Sequence, residues 1–131
     1  MSENRTYRDV SRVVHMQRAL SRILECQRQL TQVGFVEGDD KTEIILYNLM
    51  ILGEAANNVS HEFAELHPDI DFKDMAGLRH KLIHDYANID LGRIWTILQV
   101  DVPVWSSAVF RLAETIPPER LDFPENISDF D

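Results

Sequence analysis

Cysteine is nearly absent from this 131-residue sequence. Cys26 stands alone, which excludes an internal disulfide framework and a cysteine-rich zinc site. No apolar run approaches the roughly 18 residues that a membrane-spanning helix needs, so no transmembrane helix is expected. The opening residues, Met1-Ser2-Glu3-Asn4-Arg5, carry no apolar leader, and the expected location is cytoplasmic. On that expectation Asn58-Val59-Ser60 and Asn126-Ile127-Ser128 match the glycosylation sequon by chance. Positive charge is scarce too: 13 Lys and Arg face 22 Asp and Glu, a formal net charge of −9. That balance argues against non-specific coating of nucleic acid, which needs a broadly positive surface. The deficit is uneven. Residues 1–28 hold six arginines against three acids, a surplus of +3, and the rest of the chain carries −12.

Glycine and proline number only five each, and helical periodicity fills the space between them. No stretch has the alternation and turn chemistry of a hairpin. Val10, Val13, Val14, Leu20, Ile23 and Leu24 share one arc of a first helix over about Asp9 to Leu30. Arg5, Arg8, Arg12, His15, Arg18 and Arg22 fall on the opposite arc if that helix starts early. A second helix is expected from about Lys41 to His67, with Ile44, Tyr47, Ile51, Ala55, Val59 and Phe63 at helical spacing. Asp39 or Asp40 caps it and Pro68 stops it. Gly53 and Ala55-Ala56 put small residues where another helix can come close. Asp71 caps a third helix, about Phe72 to Asp85, and Asp90 caps a fourth. Pro103 should kink or restart that fourth helix near Asp101, and Val104, Trp105, Ala108, Val109 and Leu112 form the buried face beyond it. The chain thus reads as an all-α bundle of four to five helices over 1–116, followed by an acidic tail over 117–131.

The densest reactive cluster is Arg79-His80-Lys81-Leu82-Ile83-His84-Asp85-Tyr86. On a helix Leu82 and Ile83 are expected to face the core, and Arg79, His80 and His84 to share an exposed side. Several readings of this cluster compete. The plainest is a solvated face with one hydrogen-bonded histidine. His80 and His84 at i, i+4 have the spacing of two metal ligands but lack a convincing third. An imidazole and a guanidinium together can also perform acid–base chemistry on a phosphodiester without metal. If the substrate is RNA, the ribose 2′-hydroxyl is the nucleophile and neither serine nor cysteine is needed. Tyr86 reads as a half-buried ring, or as a group that positions RNA or accepts a bulky modification. Composition alone leaves these open.

The spacing Arg79, four residues, His84, one residue, Tyr86 resembles the Arg-x4-His-x-Tyr motif of HEPN-domain toxins of the HepT-like family. Ile51-Leu52-Gly53-Glu54-Ala55-Ala56-Asn57-Asn58 is similar to that family's second-helix signature. His67-Pro68-Asp69-Ile70 and Ala76-Gly77-Leu78-Arg79 resemble the approach to its motif, and Asp90-Leu91-Gly92-Arg93-Ile94-Trp95 the helix after it. The resemblance covers about residues 8–115. It implies a homodimeric, HEPN-type helical bundle acting as an endoribonuclease without metal or other cofactor. In that reading Arg79 stabilises the phosphorane, His84 transfers protons, His80 and Tyr86 are auxiliary, and cyclic-phosphate ends result. It also implies the toxin half of a toxin–antitoxin pair. The partner is an MNT-type nucleotidyltransferase antitoxin that adds AMP to Tyr86, placing bulk and negative charge beside Arg79. One departure stands out: the residue after the motif arginine is most often asparagine in the family and is His80 here. Two rivals remain: a non-catalytic binding module of the same fold, and a metal-dependent hydrolase built on His80 and His84.

Overall fold

Four side chains set where the helices begin. Asp39 Oδ1 accepts from the backbone N–H of Lys41 at 2.9 Å and of Thr42 at 3.1 Å. Ser60 Oγ accepts from Phe63, Asp71 from Asp74 and Asp90 from Arg93, each at 3.1 Å. Each satisfies a donor that the first turn of a helix leaves without a partner. In this computed structural model, which describes residues 3–117, the helices are α1 (Glu3–Arg28), α2 (Asp40–Asn57), α3 (His61–Leu66), α4 (Phe72–His84) and α5 (Leu91–Glu114). A 3-10 turn, Tyr86–Asn88, links the last two, and no strand occurs among the described residues. The all-α expectation holds. No helix among these residues is long and apolar enough to cross a membrane. The acidic tail expected over 117–131 lies, beyond Pro117, outside the described residues.

α2 packs between α1 and α4, and α1 also carries α5. Met16, Leu20 and Ile23 of α1, Ile45, Leu49 and Leu52 of α2, Met75 of α4 and Leu98, Val102 and Val109 of α5 are completely buried. At about 25 cal/mol per Å² of apolar surface removed from water, this core is the main stabilising term of the fold.

Three sequence expectations change. The long second helix is two helices. Asn58 turns its Nδ2 back to the Glu54 carbonyl at 2.7 Å, and Ser60 caps a new start two residues on. Pro103 neither kinks nor restarts its helix, since α5 is continuous from Leu91 to Glu114. Buried side chains on both sides of it, Leu98 and Val102 before and Trp105 and Val109 after, hold the helix to the bundle through the missing hydrogen bond. Val104 accordingly faces outward rather than into the core. The third change concerns α2, whose core face is Ile45, Leu49, Leu52 and Ala56. Ile44 and Tyr47, expected inside, lie exposed, with Tyr47 at 65%.

α1 starts early, so Arg8, Arg12, His15, Arg18 and Arg22 occupy one continuous helix. Its position is fixed by Asp9, which is 2% exposed. The Asp9 carboxylate accepts from the Ser60 backbone N–H and from Ser60 Oγ, both at 2.7 Å. The helix α1 is thereby tied to the junction of α2 and α3. Replacing Asp9 by Ala leaves two partly buried Ser60 donors without their acceptor and should cost about 1–3 kcal/mol, measured as a lower urea midpoint with an unchanged m-value.

Candidate active site

The site begins with a glycine. A Cβ at Gly53 would stand 2.7 Å from the Met75 carbonyl oxygen and overlap the Arg79 Cβ, so only glycine lets α2 and α4 approach this closely. The crossing places Arg79 beside α2, and the next residue, Glu54, meets Arg79 Nε with Oε2 at 2.5 Å. Both partners are partly exposed, so the pair adds little to stability. It aims the guanidinium instead. Glu54 engages Nε, and the two terminal nitrogens have no other partner among the described residues, which leaves them able to donate to an anion.

Arg79 borders a groove of about 310 Å³ between α1, α2 and α4. Arg12 and His15 form its α1 side, Tyr47, Ile51 and Glu54 its α2 floor, and Ile83 joins Arg79 on α4. Burial, and after it the charges of Arg12 and Arg18, hold the His15 pKa below its ordinary 6.5. Ile83, expected in the core, is 39% exposed at this groove, whereas Leu82 is buried as expected.

His80 and His84 occupy the next face of α4. Both are exposed, and their rings lie 4.2 Å apart between centroids, inclined at 55°. Five helical residues separate Arg79 from His84 by about 140° around the axis, and only Arg79 reaches the groove. The structure therefore brings His80 and His84 together and sets Arg79 on an adjacent side rather than among them. The backbone of Tyr86 opens the 3-10 turn just past the Asp85 cap, and its side chain lies outside the described residues. No three His, Cys, Asp or Glu side chains gather as a metal site among the described residues.

Glu54 and the groove residues His15 and Tyr47 escaped the sequence reading as site residues. Glu54 carried a usable signal, since it follows the glycine at a helix crossing. Tyr47 carried a misleading one, because its helical spacing matched a core stripe.

The model of the ribonuclease HepT-like family matches residues 16–112, a span that includes Gly53, Glu54, Arg79 and His84. This chain belongs to the HepT-like family. A protein of Thermococcus cleftensis named "Probable ribonuclease HepT" is 36% identical over 86 residues, covering 65% of this chain and 77% of that one. A "Putative RNase" of Caldanaerobacter subterraneus is 32% identical over 81 residues, covering 62% and 72%. Another "Putative RNase", from Methanocaldococcus jannaschii, is 36% identical over 81 residues, covering 62% and 70%. No solved structure matches. Arg8, Arg12 and His15 precede the span matched to the HepT-like model.

The depressed affinity of His15 for protons has a consequence for stability. As pH falls through 6.5 the unfolded chain takes up a proton on His15 that the folded chain resists, so stability present above that pH is lost below it. His15→Gln should flatten this loss. Urea midpoints measured from about pH 7.5 to pH 5 test it.

Proposed function

We propose that the chain is a metal-independent endoribonuclease acting through Arg79 and His84. The observation that carries this reading is the aimed Arg79: a guanidinium tied through Nε to Glu54, with its terminal donors available, one helix face away from two contacting imidazoles. An RNA phosphate on those donors has its charge stabilised as the ribose 2′-oxygen attacks phosphorus. An imidazole takes the 2′-hydroxyl proton, and a protonated imidazole gives one to the departing 5′-oxygen. The products are a 2′,3′-cyclic phosphate and a 5′-hydroxyl, with no water or metal consumed.

Two proton transfers call for two groups. His80, in ring contact with His84, is our choice for the second. In one chain Arg79 and His84 look out on different faces of α4, so a single subunit offers an incomplete site. We assign the complete site to a homodimer in which two copies of the motif face a shared cleft. In the cell we place the protein as the toxin of a pair whose antitoxin is an MNT-type nucleotidyltransferase. Transfer of AMP to the Tyr86 hydroxyl, with release of pyrophosphate from ATP, then puts an anion next to Arg79 and repels the substrate phosphate. Tyr86 lies two residues past the end of α4 and opens the 3-10 turn that follows it.

His84→Ala should lower the cleavage rate by about 100-fold or more, with cyclic-phosphate ends from the wild-type protein and undiminished activity in chelator. A folded, dimeric wild-type protein that cuts none of a broad RNA panel would instead favour the non-catalytic binding module. His80→Asn should shift the pH–rate profile; a profile and rate identical to wild type would remove His80 from the mechanism. On co-expression with the nucleotidyltransferase, wild-type protein should gain mass in AMP increments and stop arresting growth. Tyr86→Phe should gain none, as read by intact-mass spectrometry.

A further inference from the structure

The groove beside Arg79 has a composition that the motif does not explain. Three of its side chains, Arg12, His15 and Arg79, are basic types and one, Glu54, is acidic, on a chain whose overall formal charge is −9. Its floor holds Ile51 and the largely exposed ring of Tyr47. Its volume of about 310 Å³ lies within the range of small-ligand sites. Basic walls over an aromatic and aliphatic floor are the chemistry of single-stranded RNA recognition, in which bases stack on rings and guanidinium groups take the phosphates.

Resting on the ribonuclease reading, we infer that this groove is a nucleotide subsite. It seats one unpaired RNA base against Tyr47 and Ile51, with the neighbouring phosphate between Arg12 and Arg79. His15, kept neutral by its surroundings, stands on the same wall of the groove as Arg12. Arg8, Arg18 and Arg22 continue the strand's path along α1, all three exposed on the arc that holds Arg12 and His15. Successive turns of a helix rise about 5.4 Å, so this stripe meets several phosphates of an extended strand. Charge favours RNA here: the groove holds two guanidiniums, Arg12 and Arg79, against one carboxylate, Glu54, a positive surplus on an acidic chain.

The test uses the full chain carrying His84→Ala, so that bound RNA is not consumed. A fluorescein-labelled, mixed-sequence single-stranded oligoribonucleotide is titrated by anisotropy at several salt concentrations. Adding Tyr47→Ala should weaken binding about ten-fold. Adding Arg12→Gln should reduce the slope of log affinity against log salt by about 0.7, the value for one phosphate on a single strand. Circular dichroism and light scattering accompany each variant. Titrations that superimpose on the parent overturn the subsite. So does loss of the parent's oligomeric state in Tyr47→Ala, which would make the groove a seam between copies. Cleavage by the wild-type protein is followed in parallel. Absence of cleavage removes the ribonuclease reading, whereas cleavage with unchanged binding in the variants removes the subsite alone.

Discussion

The close crossing of α2 and α4 at Gly53 is the constraint on which the site depends. A helix interior disfavours glycine by about 1 kcal/mol relative to alanine, and here any Cβ would collide with the Met75 carbonyl and the Arg79 Cβ. What the missing side chain permits is proximity. With the backbones this near, the carboxylate of Glu54 reaches Arg79 Nε directly. The guanidinium is then held by a neighbouring helix instead of ranging over the rotamers of a long surface side chain. Moving α4 outward by even part of an ångström would loosen that aim without unfolding anything.

Much of this was legible in the sequence, and the parts that were not share a cause. Asp39, Asp71 and Asp90 announced three helix starts because a short acceptor ahead of an apolar periodic run has a local meaning that tertiary structure rarely cancels. Arg79, His80 and His84 were placed on α4 correctly for the same reason. The errors lie where two local signals conflicted. α2 is apolar on two sides, and the stripe through Ile44, Tyr47 and Ile51 competes with the one through Ile45, Leu49 and Leu52. Periodicity shows that stripes exist; only the positions of α1 and α4 decide which is covered. Pro103 shows the converse. Its local effect is strong, yet burial of Leu98, Val102, Trp105 and Val109 keeps α5 whole. Glu54 was missed as a site residue because its partner lies 25 positions away in the chain, although the glycine before it marked the crossing.

Charge in this molecule is organised by helix rather than by total. The basic surplus of the first 28 residues sits on α1, against the side of the bundle that bears Arg79, while the acidic excess belongs to the remainder. A polyanion is thereby attracted to one strip and repelled elsewhere, so orientation precedes contact. Such focusing is screened over about 8–10 Å at physiological salt, which confines it to groups within the groove and along α1.

The bond pair from Asp9 to Ser60 spans 51 positions of sequence and has a bearing on the order of assembly. During synthesis α1 leaves the ribosome first, but its carboxylate has no buried place to occupy until Ser60 has been made. Burying it unpartnered would cost several kcal/mol, so α1 cannot dock early in its final position. By the time it docks, α2 is complete and the α3 cap is in place. The nascent chain thus carries the arginines of α1 well before that helix can take its final place in the bundle.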